Sequence, residues 1–190
     1  MVLFANYPSA IEDPNIVEVN KLPPRASFFN YESKKLAQKS DPSQSEYYQS
    51  LNGTWKFYWV KNPADRPSDF YLPDYDDSKW DNFSVPANWE INGYGVPIYL
   101  NHPYEFSYDP EPPFIPSGKN PVGSYRRKFI VSDLWEGRRI VIHFGAVKSA
   151  FFIWVNGNKV GYSQGSKLPA EFDITDFVQP GENIIALEVY

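Results

Sequence analysis

Hydrophobic and polar positions alternate with a period of two along several short stretches of this chain, and no stretch of normal helix length follows a helical period. Residues 54–60 (Thr-Trp-Lys-Phe-Tyr-Trp-Val) are rich in strand-favouring types and follow an Asn52-Gly53 turn signal. Residues 83–85 predict a short strand that Pro86 ends. Alternation returns at 123–131, which places Tyr125, Phe129 and Val131 on one face. After a Glu136-Gly137 turn, 138–144 continues the pattern, and 149–155 follows. Asn156-Gly157 is the strongest hairpin signal of the sequence, with 159–163 pairing back across it. A short strand at 172–174, a turn at Pro180-Gly181 and a final strand at 183–190 complete the series. Many short strands at this spacing predict an all-β sandwich of the jelly-roll type.

Residues 1–50 read differently. Scattered prolines (Pro8, Pro14, Pro23, Pro24, Pro42) and polar runs break any period of two. We expect an extended arm with one helical turn at 31–38, followed by the domain at 51–190. Phe28, Phe29 and Tyr31 require the arm to lie against the domain or a partner. Residues 61–84 form a connection with a turn at 76–80, and 87–123 form a long irregular stretch with seven prolines. Loops of that length in a compact domain are uncommon and tend to be functional. The last strand runs to the final residue, so we expect the domain to be cut from the front of a larger protein.

A chain of 190 residues suits one core plus an arm. Aromatic residues make up 18% of it, including 6 Trp and 14 Tyr, which serve a sandwich core and equally suit contacts with sugar or protein. A net charge of −5, with no basic run longer than the three residues 126–128, argues against a nucleic-acid partner. The lack of cysteine excludes disulfides, zinc–cysteine sites and a cysteine nucleophile. No apolar run approaches the roughly 18 residues of a membrane-spanning helix, so no membrane role is expected. The first residues are too short and uncharged for a signal peptide, and cytoplasm and periplasm both stay open.

Glycoside hydrolysis needs two carboxylates across a cleft. Glu90, Glu105, Asp109, Glu111, Glu171 and Asp173 are present, yet spacing gives none of them a partner. His102 and His143 are the only histidines; His143 sits in an alternating strand, and neither forms a metal motif. No nucleophile elbow or phosphate loop occurs. The residues alone therefore support a binding or structural module without catalytic residues. Within the long loop, 87–101 mixes Asn, Trp, Tyr and Gly. Asn offers a donor and an acceptor to sugar hydroxyls, and aromatic rings can stack on a sugar face; turn formation and loop packing explain the same residues.

Six motifs occur in order: Leu51-Asn-Gly-Thr-Trp-Lys-Phe57, Val85-Pro-Ala-Asn-Trp89, Gly93-Tyr-Gly-Val-Pro-Ile-Tyr-Leu-Asn101, Pro112-Pro-Phe-Ile-Pro116, Asn120-Pro-Val-Gly-Ser-Tyr125 and Lys167-Leu-Pro-Ala-Glu-Phe-Asp173. Together they resemble the N-terminal sugar-binding domain of glycoside hydrolase family 2, in the branch of the large bacterial β-galactosidases. The resemblance covers the chain from about Glu12. β-Glucuronidases and β-mannosidases share the Leu-Asn-Gly-x-Trp and Trp-Val-Asn-Gly features, and the Pro97-Ile-Tyr-Leu-Asn101 stretch favours galactosidase. The resemblance implies a galactose-binding-domain-like jelly roll in front of a catalytic TIM barrel, whose two glutamates hydrolyse terminal β-galactosides with retention and lie beyond Tyr190. It implies that Asn101 reaches into the barrel and contacts galactose, a second contact (an aspartate) lying past Tyr190. It places Asp13, the Ile16 carbonyl and Gln164 near a magnesium site that lacks a carboxylate here, with Ala10 near the position of another. Magnesium and sodium are thus expectations for the parent enzyme, not for this chain. A homo-oligomeric parent, with the arm building subunit contacts, is implied as well. The alternative is an autonomous carbohydrate-binding module.

Overall fold

The computed structural model describes residues 9–98, 109–115 and 120–190. Among the described residues nine strands form: β1 Glu18–Val19, β2 Gly53–Val60, β3 Asp81–Val85, β4 Val122–Val131, β5 Val141–Phe144, β6 Ala150–Val155, β7 Asn158–Gln164, β8 Ala170–Asp173 and β9 Gly181–Val189. Seven of them make one antiparallel sheet in the order β1-β7-β6-β9-β4-β2-β3, and β5 with β8 makes a second. The expected all-β sandwich is therefore what the chain forms. Among the described residues the only α-helix is α1, Lys34–Lys39, capped by the Ser33 hydroxyl, which accepts from Leu36 N at 3.3 Å.

Two differences from the sequence pattern have physical reasons. The stretch expected at 138–144 begins pairing only at Val141 and belongs to the small sheet. Arg138 N still closes the preceding turn on Trp135 O, and Ile140 N is taken by the Thr175 hydroxyl. The arm holds a strand that its proline-broken pattern concealed: β1 pairs with β7 through Glu18–Ser163 and Val19–Tyr162.

The core lies between the sheets. Trp55, Phe57, Tyr125, Phe129, Phe151, Ile153, Val155, Ile185 and Leu187 face Ile142, Ala170 and Phe172 of the small sheet. Tyr125, Phe129 and Val131 do share that face, as their alternation requires. A second aromatic cluster covers the outer face of the large sheet: Val122, Phe152, Trp154, Tyr162, Ala186 and Tyr190 under Phe70 and Trp80. Strands β6 and β9 are thus buried on both sides, and the apolar runs 150–155 and 184–187 follow from that. Asn156 turns the β6–β7 hairpin with a positive φ, and its side chain fastens the turn to β9 by accepting from Ile184 N at 2.9 Å and donating to Asn183 Oδ1 at 2.7 Å.

The segment over the outer face, 61–80, is held by two buried charges. Arg126, only 2% exposed, pairs with Asp77 at 2.8 Å and donates to the carbonyls of Phe70, Leu72 and Tyr75. Glu188 pairs with Arg66 at 3.2 Å and accepts from the Tyr190 hydroxyl at 2.7 Å; burial raises its pKa. Removing one member of such a buried pair costs on the order of 3–5 kcal/mol, because the other charge stays behind unpaired.

The arm bridges the two sheets. After β1, Lys21 makes an isolated bridge with Phe172, and Leu22 N donates to Glu171 O at 2.8 Å. Asn20 Nδ2 donates to Val160 O at 2.9 Å. The crossing is possible because residue 161 is glycine: a Cβ there would collide with the Val19 carbonyl and stand 2.6 Å from the Phe172 ring. Gly161→Ala is expected to lower stability by about 1–3 kcal/mol through overpacking and to speed tryptic cleavage after Lys21 and Arg25. Thermal unfolding and a digestion time course check this; a wild-type melting point and cleavage rate would show that the arm does not depend on the gap at Gly161.

Candidate functional site

The long loop after β3 leaves the sandwich through an aromatic clamp. Trp89 packs against Phe57, its ring centre 6.0 Å away, and its Nε1 donates to the buried Tyr125 hydroxyl. Gly123 makes the room: a Cβ there would stand 2.5 Å from the Trp89 ring and 2.8 Å from Phe57. Burial raises the Tyr125 pKa, so the phenol stays neutral and can accept from Trp89. Five residues after Trp89, Tyr94 meets Phe57 edge to face at 4.9 Å and donates its hydroxyl to Asp81 Oδ2 at 2.7 Å. Burial, and then Asp81, push the Tyr94 pKa up to about 12. A short turn joins the two anchors, with Asn92 N and Tyr94 N both donating to Trp89 O.

One of the loop's asparagines has a local duty. Asn92 Nδ2 donates to Asn88 O at 2.8 Å, which is turn chemistry rather than a free sugar-binding amide. Ile91, Val96, Ile98 and, on the returning limb, Phe114 stand exposed. The returning limb turns at 111–114 through Phe114 N donating to Glu111 O at 2.9 Å. It is then tied to the arm, because Ile115 N donates to Glu12 Oε1 at 3.0 Å. Asn101, His102 and Glu105 lie outside the described residues.

Two of the other carboxylates singled out from the sequence are structural. Glu171 takes both nitrogens of a bidentate Arg25 contact at 2.8 and 2.7 Å and lies 3.0 Å from His143 Nδ1. Asp173 pairs with Arg139 at 2.6 Å and accepts from Thr175 N and Oγ1. Both sit on the outward side of β8, where Glu171 fastens the arm. His143 is a strand residue of β5, as its alternation implied. Glu90 begins the single turn Glu90–Asn92.

The three expected metal-site residues come to one edge of the large sheet. Gln164 N, at the end of β7, donates to Val17 O at 3.3 Å, which sets the arm beside it. Asp13 Oδ1 accepts from Asn15 N and Nδ2, and Ile16 N donates to Asp13 O. Gln164 Oε1 accepts from the Tyr162 hydroxyl at 2.7 Å. These are oxygen donors of the kind magnesium prefers, yet they include one carboxylate, and an octahedral ion takes about six oxygens. Among the described residues no three His, Cys, Asp or Glu side chains come together as a metal-binding group. The set does not by itself fit the ion.

Comparison with known proteins fits this geometry. Residues 48–190 match the family model described as "Glycosyl hydrolases family 2, sugar binding domain". The chain is 43% identical over 186 residues to a beta-galactosidase of Priestia megaterium, covering 97% of the chain and 18% of the relative. It is 40% identical over 184 residues to a beta-galactosidase of Halalkalibacterium halodurans, covering 96% and 18%. It is 36% identical over 194 residues to a beta-galactosidase large subunit of Leuconostoc lactis, covering 95% and 30%. The chain therefore spans less than a third of these relatives. Among solved structures, a beta-glucuronidase from an uncultured Clostridium sp. matches with a TM-score of 0.50 at 25% identity, over 74% of the chain and 21% of that protein. The beta-glucuronidase of Bifidobacterium dentium matches with a TM-score of 0.53 at 23% identity, over 73% and 19%, a likeness of fold.

The Glu171 cluster has a pH signature. Burial raises its pKa, but hydrogen bonds from His143 and Arg25 outweigh that and leave it below the usual 4.5. Its stabilising effect is therefore complete above the unfolded value and is lost as pH falls through the lower folded value. Melting temperatures of the native protein and of Glu171→Gln should differ at neutral pH and converge as pH drops below about 4. A constant difference down to pH 3 would show that the Glu171 charge does not hold the arm.

Proposed function

Because the chain belongs to glycosyl hydrolase family 2 through that family's sugar binding domain, we propose that it is the N-terminal, non-catalytic part of a larger retaining β-galactosidase, framing the active site and lending Asn101 to the galactose. The observation that carries this reading is the aromatic clamp. Trp89 and Tyr94 fix the point at which the loop leaves a rigid sandwich, so a side chain further along that loop can be presented to a neighbouring domain. Retaining hydrolysis needs two carboxyl groups about 5–5.5 Å apart across the scissile bond. Glu171 and Asp173 are committed to Arg25, His143, Arg139 and Thr175. The catalytic pair is assigned to a TIM barrel beyond this domain, as the family resemblance implies. The names of the relatives at 36–43% identity favour a galactoside over a glucuronide. A magnesium site at Asp13, Ile16 and Gln164 would need at least one more carboxylate, from outside this chain.

A sugar hydroxyl bonded by Asn101 in a dry pocket leaves buried groups unpaired when the amide is removed. Asn101→Ala in the full-length enzyme is expected to lower kcat/KM by about 10- to 100-fold. Steady-state kinetics on a chromogenic galactoside measure this, and unchanged values would refute the contact. The purified 190-residue chain should show no turnover of the same substrate; measurable hydrolysis would sink the non-catalytic assignment. Calorimetric titration of that chain with millimolar galactose should show no saturation, whereas a saturable isotherm would favour an autonomous carbohydrate-binding module.

A further inference from the structure

The long loop after β3 is tied to the sandwich where it leaves and, before it runs into β4, to the N-terminal arm. We propose that Glu12 is a positioning residue for galactoside binding, the one through which the arm fixes the returning limb of this loop. The inference rests on the reading of Asn101 given above. Its own basis lies in described residues. The outgoing limb is fastened within the domain, by Trp89 on Tyr125 and Tyr94 on Asp81. The returning limb has a different anchor, the Ile115 amide donating to Glu12 Oε1 at 3.0 Å across 103 positions of sequence.

Glu12 is suited to that task because its neighbours are fixed without it. Ile11 and Ile16 pack against the outer aromatic cluster of the large sheet. Between them, Asp13 closes a tight turn by accepting from Asn15 N and Nδ2 and, through its carbonyl, from Ile16 N. Just beyond, β1 joins β7. The backbone at residue 12 is thus seated by apolar contact and strand pairing, and its carboxylate is left to reach the loop. A carboxylate accepting from a backbone amide is a strong, directional contact. The arm therefore does more than cover a sheet edge: it sets where the loop returns, and with that the span over which a sugar-contacting side chain can be presented.

The test uses the full-length enzyme that contains this chain. Glu12→Ala should raise KM for a galactoside by about tenfold, the ratio expected from losing one such hydrogen bond, with kcat and melting temperature close to native. Glu12→Gln keeps an acceptor oxygen and should restore most of the affinity. Deuterium uptake by the peptide 109–115 should be faster in Glu12→Ala and close to native in Glu12→Gln. In an Asn101→Ala background, Glu12→Ala should add no further loss. Native KM together with native exchange at 109–115 in Glu12→Ala would overturn the proposal while leaving the Asn101 contact intact. Equal losses in the Gln and Ala variants would also overturn it, by tracing the effect to charge rather than to the hydrogen bond. A lowered melting temperature and kcat at unchanged KM would do the same, by marking a folding role. If Asn101→Ala proves silent, it is the sugar contact that fails, and exchange at 109–115 alone decides whether Glu12 anchors the loop.

Discussion

The side chain on which most of this structure depends is Arg126. It projects from the middle of β4 to the outer face of the large sheet, where it is almost wholly removed from water. A guanidinium has five donors and cannot shed its charge, so its burial is tolerable only where acceptors converge on it. Here they come from one segment: the carbonyls of Phe70, Leu72 and Tyr75 and the Asp77 carboxylate. That demand dictates the path of a stretch without regular strands. Once 70–77 wraps around Arg126, Phe70 and Trp80 are delivered onto Trp154 and Tyr58, and the outer cluster is closed. The pairing of Glu188 with Arg66 fixes the beginning of the same segment. Two opposite charges embedded in one sheet face thus act as the registration pins of its cover.

A sheet covered on both faces is stiff, and that stiffness gives the loop after β3 its meaning. Phe57 stands at the junction, touching Phe83, Trp89, Tyr94 and Tyr125. Because these rings also belong to the inter-sheet core or pack on it, the loop cannot shift its point of departure without disturbing the core. The arm adds the same logic from the opposite side, crossing from β7 to β8 and closing that side of the sandwich. Loop and arm are long in sequence, but both are referenced to the same rigid body.

The strands of the second half could be read in the sequence because alternation and turn chemistry are local. The Asn156-Gly157 hairpin and the shared face of Tyr125, Phe129 and Val131 depend on near neighbours. What could not be read was long-range. Nothing around Glu18-Val19 announces a strand, since its partner lies at 162–163 and the pairing is licensed by a glycine at 161. Arg126 opens a run of three basic residues that reads as a solvated strand face, and most of its acceptors are backbone carbonyls, which carry no sequence signature. The same holds for Glu12: its partner is an amide 103 residues away. Among the chemistry-bearing residues, alternation marked His143 as a strand position, whereas Glu171 and Asp173 were set aside because spacing gave them no partner; their partners Arg25 and Arg139 lie 146 and 34 positions away. The residues of the long loop carried a signal in composition and motif, but a periodicity that would fix their geometry was missing.

The division between what is shared and what is particular follows from this arrangement. The inter-sheet core is built of interchangeable apolar contacts, and volume-conserving exchange in such a core is well tolerated. That is why the fold matches β-glucuronidases at about a quarter identity or less while saying nothing about the sugar. A galactoside and a glucuronide differ in polar groups, and polar groups are distinguished by hydrogen-bonding side chains whose misplacement leaves buried atoms unpaired. In this chain such side chains can be offered by the loop but not by the sheets, whose inner face is closed by aromatic and aliphatic packing. The proposed substrate class therefore rests on the loop and on the names of the relatives at 36–43% identity, and the sandwich contributes placement. On the reading proposed above, anchors such as Tyr94, Trp89 and Glu12 carry the rigidity of the fold into the loop.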